Sequence, residues 1–394
     1  MQIKNLAPLA LVGAAAAQGG GGVSGLTAVL ASQNSSLSQL TTLLGTQPEL
    51  VEALSNARNI TILAPSNAAL EQFLASPAAA GAATNPGLVS AILTYHVLNG
   101  TFYASNFTDE PKFIPTLLQN QTYANITGGQ RVQGQTVGGN VTFYSALREN
   151  STVSQGNLNF TGGTIHIIDK VLAVPGAINT TLQAANLTAA LGAIQKANVA
   201  SVLSAAEDVT IFVPNNQAFN AIGSAAGSLG EAELQSILSY HVVQGGVLYS
   251  TDVTNTSLTT LGGGNITLSV HDDSVYVNSA KVVIPNILIA NGVVHVIDGV
   301  LNPNNTSAAP DTSASTQVPA YTGVSTVADG SNPFTSGVQG PTSTAPVATE
   351  QPGSPGAGGG GVQSTSSSEQ AGPMKTAAVG AAALFGGVVA VFNM

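Results

Sequence analysis

Four of the five histidines, His96, His166, His241 and His295, stand in two recurring contexts. Two follow a tyrosine, as Tyr95-His96 and Tyr240-His241, and two sit inside apolar runs, Gly163-Thr-Ile-His-Ile-Ile-Asp169 and Gly292-Val-Val-His-Val-Ile-Asp298. Imidazoles near a carboxylate are the raw material of proton transfer and of metal binding. A zinc or copper centre needs three or four ligands. Each half of the chain supplies two of these histidines, with no neighbouring carboxylate beyond Asp169 or Asp298, so the residues read as imidazoles hydrogen-bonded inside or beside a core. The fifth, His271, lies beside Asp272 and Asp273 in a polar stretch and reads as a solvated turn residue. Asp109-Glu110, Glu207-Asp208 and Asp272-Asp273 are adjacent in sequence, the pattern of a turn rather than of facing catalytic carboxylates. There is no cysteine, which removes thiol catalysis, thiolate metal sites and disulfides together. No G-x-S-x-G elbow or H-E-x-x-H helix occurs. Two G-x-G-x-x-G matches, at 20–25 and 356–361, lie in glycine runs that neither follow a strand nor open a helix. The expectation is no catalytic residue, no metal and no cofactor.

The elements that position these histidines are repeated. Asn59-Ile-Thr-Ile-Leu-Ala-Pro-Ser-Asn-Ala-Ala-Leu70 returns 149 residues later as Asp208-Val-Thr-Ile-Phe-Val-Pro-Asn-Asn-Gln-Ala-Phe219. The Tyr-His boxes are 145 residues apart and the last boxes 129. Three shared boxes in one order make a tandem repeat, and the changing step marks the stretches between boxes as loops or tolerant elements. Each repeat opens with apolar residues at helical spacing, Leu37, Leu40 and Leu44, then Leu187, Leu191 and Ile194. Runs 61–63 and 210–213 read as strands stopped by Pro65 and Pro214, with Asn67 and Asn216 suited to a turn or helix cap. Stretches 88–93 and 234–238 read as helices leading through the Tyr-His pair into a strand. Stretches 265–270 and 275–277 read as a hairpin, and 165–171 and 294–300 as buried strands. The fold class is α+β: a sheet or sandwich core with packed helices, present twice, over 23–175 and 176–303.

Composition sets the surroundings. Charged residues are 7% of 394, with a formal net charge of −10, so the chain lacks the basic surface that nucleic acid requires. Residues 1–17 fit a secretory signal ending at Ala15-Ala16-Ala17. Residues 304–375 are rich in Ser, Thr, Pro and Gly and read as a disordered, O-glycosylated stalk without a core. Small residues Ser366, Ser367 and Ser368 precede a polar spacer and the apolar run 376–394, the order of a GPI attachment signal; the alternative is a retained spanning helix. Fifteen Asn-x-Ser/Thr sequons occur, at Asn34, Asn59, Asn99, Asn106, Asn120, Asn125, Asn140, Asn150, Asn159, Asn179, Asn186, Asn255, Asn265, Asn304 and Asn305. Seven fall between Asn99 and Asn159, so glycans would shield the first repeat more than the second, with Asn59 expected inside a buried strand and unmodified.

Residues 61–70 and 210–219, the Tyr-His pairs, and Thr164-Ile-His-Ile-Ile-Asp169 with Val293-Val-His-Val-Ile-Asp298 resemble the signature boxes of the fasciclin domain family, over roughly residues 23–303. The resemblance implies an extracellular adhesion module, often tandem and GPI-anchored, and is strongest to fungal cell-surface members. It also implies a partner site at Tyr240 and His241 with Pro285, Asn286, Ile287 and Leu288, since the Tyr-His segment and an acidic residue before the last box serve integrin adhesion in animal members. Here Asn286 replaces that carboxylate and no Arg-Gly-Asp occurs, so adhesion carries over as a class and integrin specificity does not. Tyr95, His96, His166 and His295 are expected to be structural. The partners expected are cell-surface, matrix or wall components, with the membrane reached through the anchor. The alternatives are a lipid- or polysaccharide-binding surface module and a wall-associated structural glycoprotein.

Overall fold

The computed structural model describes residues 23–341 apart from 273, 315 and 328–331. The expected signal at 1–17, stalk residues 342–375, Ser366, Ser367, Ser368 and the apolar run 376–394 lie outside the described residues.

The first domain runs α1 (Leu26–Ser32), α2 (Asn34–Gly45), α3 (Pro48–Asn56), β1 (Ile60–Pro65), α4 (Asn67–Leu74), α5 (Pro77–Thr84), α6 (Pro86–Tyr95), β2 (Val97–Asn99), β3 (Lys112–Pro115), β4 (Arg131–Val137), β5 (Asn140–Tyr144), β6 (Asn150–Phe160) and β7 (Gly163–Ile168). The second repeats it with α7 (Ile178–Ala184), α8 (Thr188–Lys196), α9 (Ala200–Ala205), β8 (Val209–Pro214), α10 (Asn216–Ala221), α11 (Gly223–Ala226), α12 (Glu231–Tyr240), β9 (Val242–Gln244), β10 (Thr256–Thr259), β11 (Asn265–His271), β12 (Ser274–Val277), β13 (Ala280–Ile289) and β14 (Gly292–Ile297).

Each domain has a seven-stranded sheet, ordered β2-β1-β7-β6-β5-β4-β3 and β10-β11-β12-β13-β14-β8-β9. The strands of the first and last boxes pair in parallel, β1 with β7 and β8 with β14, and the remaining pairs are antiparallel. A bridge between Leu98 and Thr116 joins the two ends of the first order, and the Leu261 N–H donates to Val242 O (2.7 Å) at the matching place in the second. The sheet therefore folds back on itself and leaves little open edge. One core cluster of each domain lies between helices and the β1–β7 or β8–β14 pair, and another inside the folded sheet. Gly163 and Gly292 permit the central parallel pairing. A Cβ on either would stand 1.8 Å from the carbonyl oxygen of Ile60 or Val209.

Three sequence expectations change. The stretches between boxes hold the outer strands β3–β6 and β10–β13, of which the sequence marked only the β11–β12 hairpin at 265–270 and 275–277. The helix caps after Pro65 and Pro214 are Ser66 and Asn215, whose side chains accept from Ala69 N (3.2 Å) and Ala218 N (2.7 Å). Asn67 and Asn216 instead tie α4 to α2 and α10 to α8: their Oδ1 atoms accept from Gln39 N and Ala189 N, both at 3.0 Å. Finally, residues 304–341 do not begin a free stalk. Tyr321, Val324, Phe334 and Val338 pack on the helical core of the second domain, and Phe334 meets Phe219 edge-on at 5.9 Å. Ser325 is held by Ser224 through both N–H groups' partners, at 3.1 Å from Ser224 N to Ser325 O and 2.8 Å from Ser325 N to Ser224 Oγ. Four widely spaced anchors are enough to seat a strap whose average composition cannot form a core of its own.

Candidate functional site

The boxed histidines are built into the frame. The His96 ring follows α6 and the His241 ring follows α12, and both are at most 3% exposed. The Leu172 N–H donates to His96 Nε2 (2.9 Å), so Nδ1 carries the proton and donates to Ile92 O (2.7 Å). His241 repeats this with Leu301 N (3.0 Å) and Ile237 O (2.7 Å). In the last boxes the proton sits on the other nitrogen. His166 Nε2–H donates to Phe102 O (2.8 Å), and His295 Nε2–H to Leu248 O (2.7 Å). Burial lowers the pKa of His96, His241 and His295 to about 4, outweighing the opposing pull of their carbonyl acceptors. Burial lowers His166 as well. All four are thus neutral struts joining helix, strand and loop. Asp169 and Asp298 close the same boxes from outside, accepting from Thr152 N and Lys281 N, both at 2.7 Å. Among the described residues, no group of three or more His, Cys, Asp or Glu could hold a metal ion.

The residues expected to meet a partner are also inside. Tyr240 is 1% exposed, its hydroxyl donating to Asn265 O (2.7 Å) and accepting from Asn278 Nδ2 (3.0 Å). Tyr95 does the same work in the first domain, donating to Arg131 O (2.9 Å). Asn286, Ile287 and Leu288 are buried, and Pro285 is half-buried. Neither Tyr240 nor His241 can offer a side chain to a partner's surface, because the helix-to-strand join turns both inward. Asn286 is nonetheless special: it occupies the left-handed region (φ 63°) in a bulge of β13, and its Oδ1 accepts from Ser250 N (2.9 Å). Asn157 (φ 61°) does likewise for Ala104 N (2.9 Å) in β6. This paired bulge sets the loop onto which each last-box histidine docks, and an asparagine nine residues before each histidine was its sequence signal.

A junction that sequence reasoning missed joins the domains. Asn59 and Asp208 are repeat partners, both left-handed at φ 57° and 51°. Asn59 uses its side chain within its own domain, accepting from Thr101 N (2.9 Å). Asp208 reaches across to the first domain, accepting from Thr127 N (2.8 Å) and Thr127 Oγ1 (2.6 Å). Phe113 stacks on Tyr249 at 4.2 Å and 14°, with the Arg131 guanidinium 5.9 Å from the same ring. Gln130 Nε2 donates to Ile289 O (3.0 Å), and Asn125 N to Ala290 O (2.7 Å). A cleft of about 510 Å³ opens beside this seam, carrying Lys112, Arg131, Asp208 and Asp252.

Twelve sequon asparagines are exposed: Asn34, Asn59, Asn99, Asn106, Asn120, Asn140, Asn150, Asn159, Asn186, Asn255, Asn265 and Asn304. Asn59, expected in a buried strand, stands just ahead of β1 with its side chain at the surface. Asn125, Asn179 and Asn305 are half-buried. The Asn125 Nδ2, the atom a glycan would take, faces the carbonyls of Ala205 and Ala206 across the junction at 3.4 and 3.5 Å. No helix of the described residues is long and apolar enough to cross a membrane.

Comparison with known proteins gives one family. A model of the fasciclin domain matches residues 35–175 and 185–303. The chain is 36% identical over 313 residues to a fasciclin-like arabinogalactan protein of Arthroderma benhamiae, covering 79% of this chain and 74% of the relative. It is 30% identical over 274 residues to the fasciclin-like arabinogalactan protein elcF of Phaeosphaeria nodorum, covering 69% of this chain and 86% of that one. Among solved structures, a FAS1 domain pair from the insect cell adhesion molecule fasciclin I aligns with 68% of this chain and 98% of its own, at 18% identity and a TM-score of 0.34.

Proposed function

Because the chain belongs to the fasciclin domain family, we propose that it is an extracellular surface glycoprotein whose two joined domains mediate adhesion to a cell, matrix or wall component. The observation that carries this reading is the state of the boxed polar groups. The four boxed histidines are buried and hydrogen-bonded within the fold, which leaves recognition to the outer surface. The exposed sequons crowd the first domain, so the open face belongs to the second. A GPI anchor at Ser366, Ser367 or Ser368 would present many copies at one surface, and multivalent contact then turns weak single contacts into firm attachment.

Two linked measurements test this. Phosphatidylinositol-specific phospholipase C should release the protein from its cells and lower their attachment. Asp272→Asn creates a sequon with Ser274 at the exposed β11–β12 turn, where φ is already 45°, and the added glycan should reduce attachment with secretion unchanged. Release with full attachment removes the adhesive role, and an occupied new glycan without effect removes the second-domain face.

A further inference from the structure

The first domain contains an apolar cavity of about 320 Å³ between its helices and β1. Its walls include Leu43 on α2, Leu70 and Leu74 on α4, Val89 and Leu93 on α6, and Ile62 on β1, and no Asp, Glu, Lys or Arg lines it. Gln39, Thr46 and Gln47 are polar groups on the same lining, all at least partly open to solvent. This volume lies in the range of small-molecule sites, about 300–1,000 Å³. An apolar cavity gains little from water, which needs two or more polar partners.

The second domain shows what its own copy of this face does. Leu70 and Phe219 share a box position, and Phe219 is covered by Phe334 of the strap, whereas Leu70 borders the open cavity. The strap backbone is held there by Asn220 O and by Ser224. At the same 149-residue step the first domain has Glu71 and Ala75. A peptide laid on the first domain would lose the Ser224 hydroxyl that holds the strap, where Ala75 stands instead; a hydrocarbon chain needs no polar partner.

We infer that the first domain binds a single fatty-acyl chain, with its methylenes in the α2–α4–α6 cavity and its polar end at Thr46 and Gln47, away from the Gln39–Glu71 hydrogen bond. This goes beyond adhesion and is tested without cells. The full secreted chain, stripped of lipid, is titrated with radiolabelled palmitate and separately with palmitoyl lysophosphatidylcholine. Saturable binding of one palmitate per chain is expected. Leu74→Trp and Leu43→Trp, at half-buried wall positions on two different helices, each fill the cavity and should weaken binding about tenfold or more while the thermal melt is retained. Should one variant fail to fold, the other still reads the site. Native mass spectrometry of the chain before lipid removal reads the same occupant as added mass. Binding of palmitate alone assigns a free fatty acid, and binding of both probes assigns the acyl chain of a lipid. Saturable binding of neither, or binding that both folded variants leave unchanged, overturns the inference.

Discussion

A histidine locked neutral by burial makes stability depend on acid. His96, His241 and His295 have folded-state values near 4, below the ordinary 6.5. As pH falls through 6.5 the unfolded chain takes up protons that the folded chain refuses until about 4, so stability present above 6.5 is lost across that window. Each such histidine contributes on the order of a few kcal/mol by this linkage, a sizeable share of a typical total of about 5–15 kcal/mol. Glu149 and Asp298, whose carboxyls burial pushes up, oppose the loss in part as they take up protons in the folded state. Denaturant unfolding at pH 7, 5.5 and 4.5 should show stability falling as the pH is lowered through this window. A stability that is flat between pH 6.5 and 4.5 is incompatible with neutral buried imidazoles. A place for these rings in or beside the core was legible in the sequence, since each stood among apolar residues. That Tyr240 and His241 face inward was not, because a Tyr-His pair at a helix end has the same pattern whichever way the join turns.

The strap gives the element scale a test whose sign decides it. Gly192 lies inside α8, where alanine would ordinarily stabilise a helix by about 0.5–1 kcal/mol. A Cβ at Gly192 would stand 1.8 Å from Phe334 O, however, so the strap must lift for alanine to fit. Gly192→Ala is therefore expected to lower the melting temperature and to open residues 320–341 to protease; a raised melting temperature with unchanged cleavage means that the strap does not rest on α8. The sequence hid this element because Tyr321, Val324, Phe334 and Val338 are diluted by Ser, Thr, Gly and Pro, and window averages see only the dilution. It hid β4 and β5 for a related reason. Gln133, Gly134, Gln135 and Thr142 are buried in strands whose polar composition gives no apolar alternation. By contrast β1, β7, β8 and β14 were plain, since buried parallel strands read as unbroken β-branched runs.

At the scale of the whole molecule, the junction decides whether two repeats act as one body. Its single sequence trace is the exchange of Asn59 for Asp208 at matching positions, one spent at home and one spent across the seam. Asn125-Ile126-Thr127 is both a sequon and part of this seam, so glycosylation and docking compete for the same residues. Oligosaccharide added to Asn125 Nδ2 would have to fit where the Ala205 and Ala206 carbonyls now lie. The native secreted protein should therefore carry no glycan at Asn125 while exposed Asn99, Asn106, Asn140 and Asn159 carry them, as read by peptide mapping after enzymatic deglycosylation in heavy-oxygen water. Asp208→Ala removes the carboxylate that holds Thr127, and the two domains, each with its own core, should then separate. One cooperative melting transition becomes two, and some Asn125 becomes glycosylated. Full occupancy of Asn125 in the unaltered protein would show instead that the two domains sit apart.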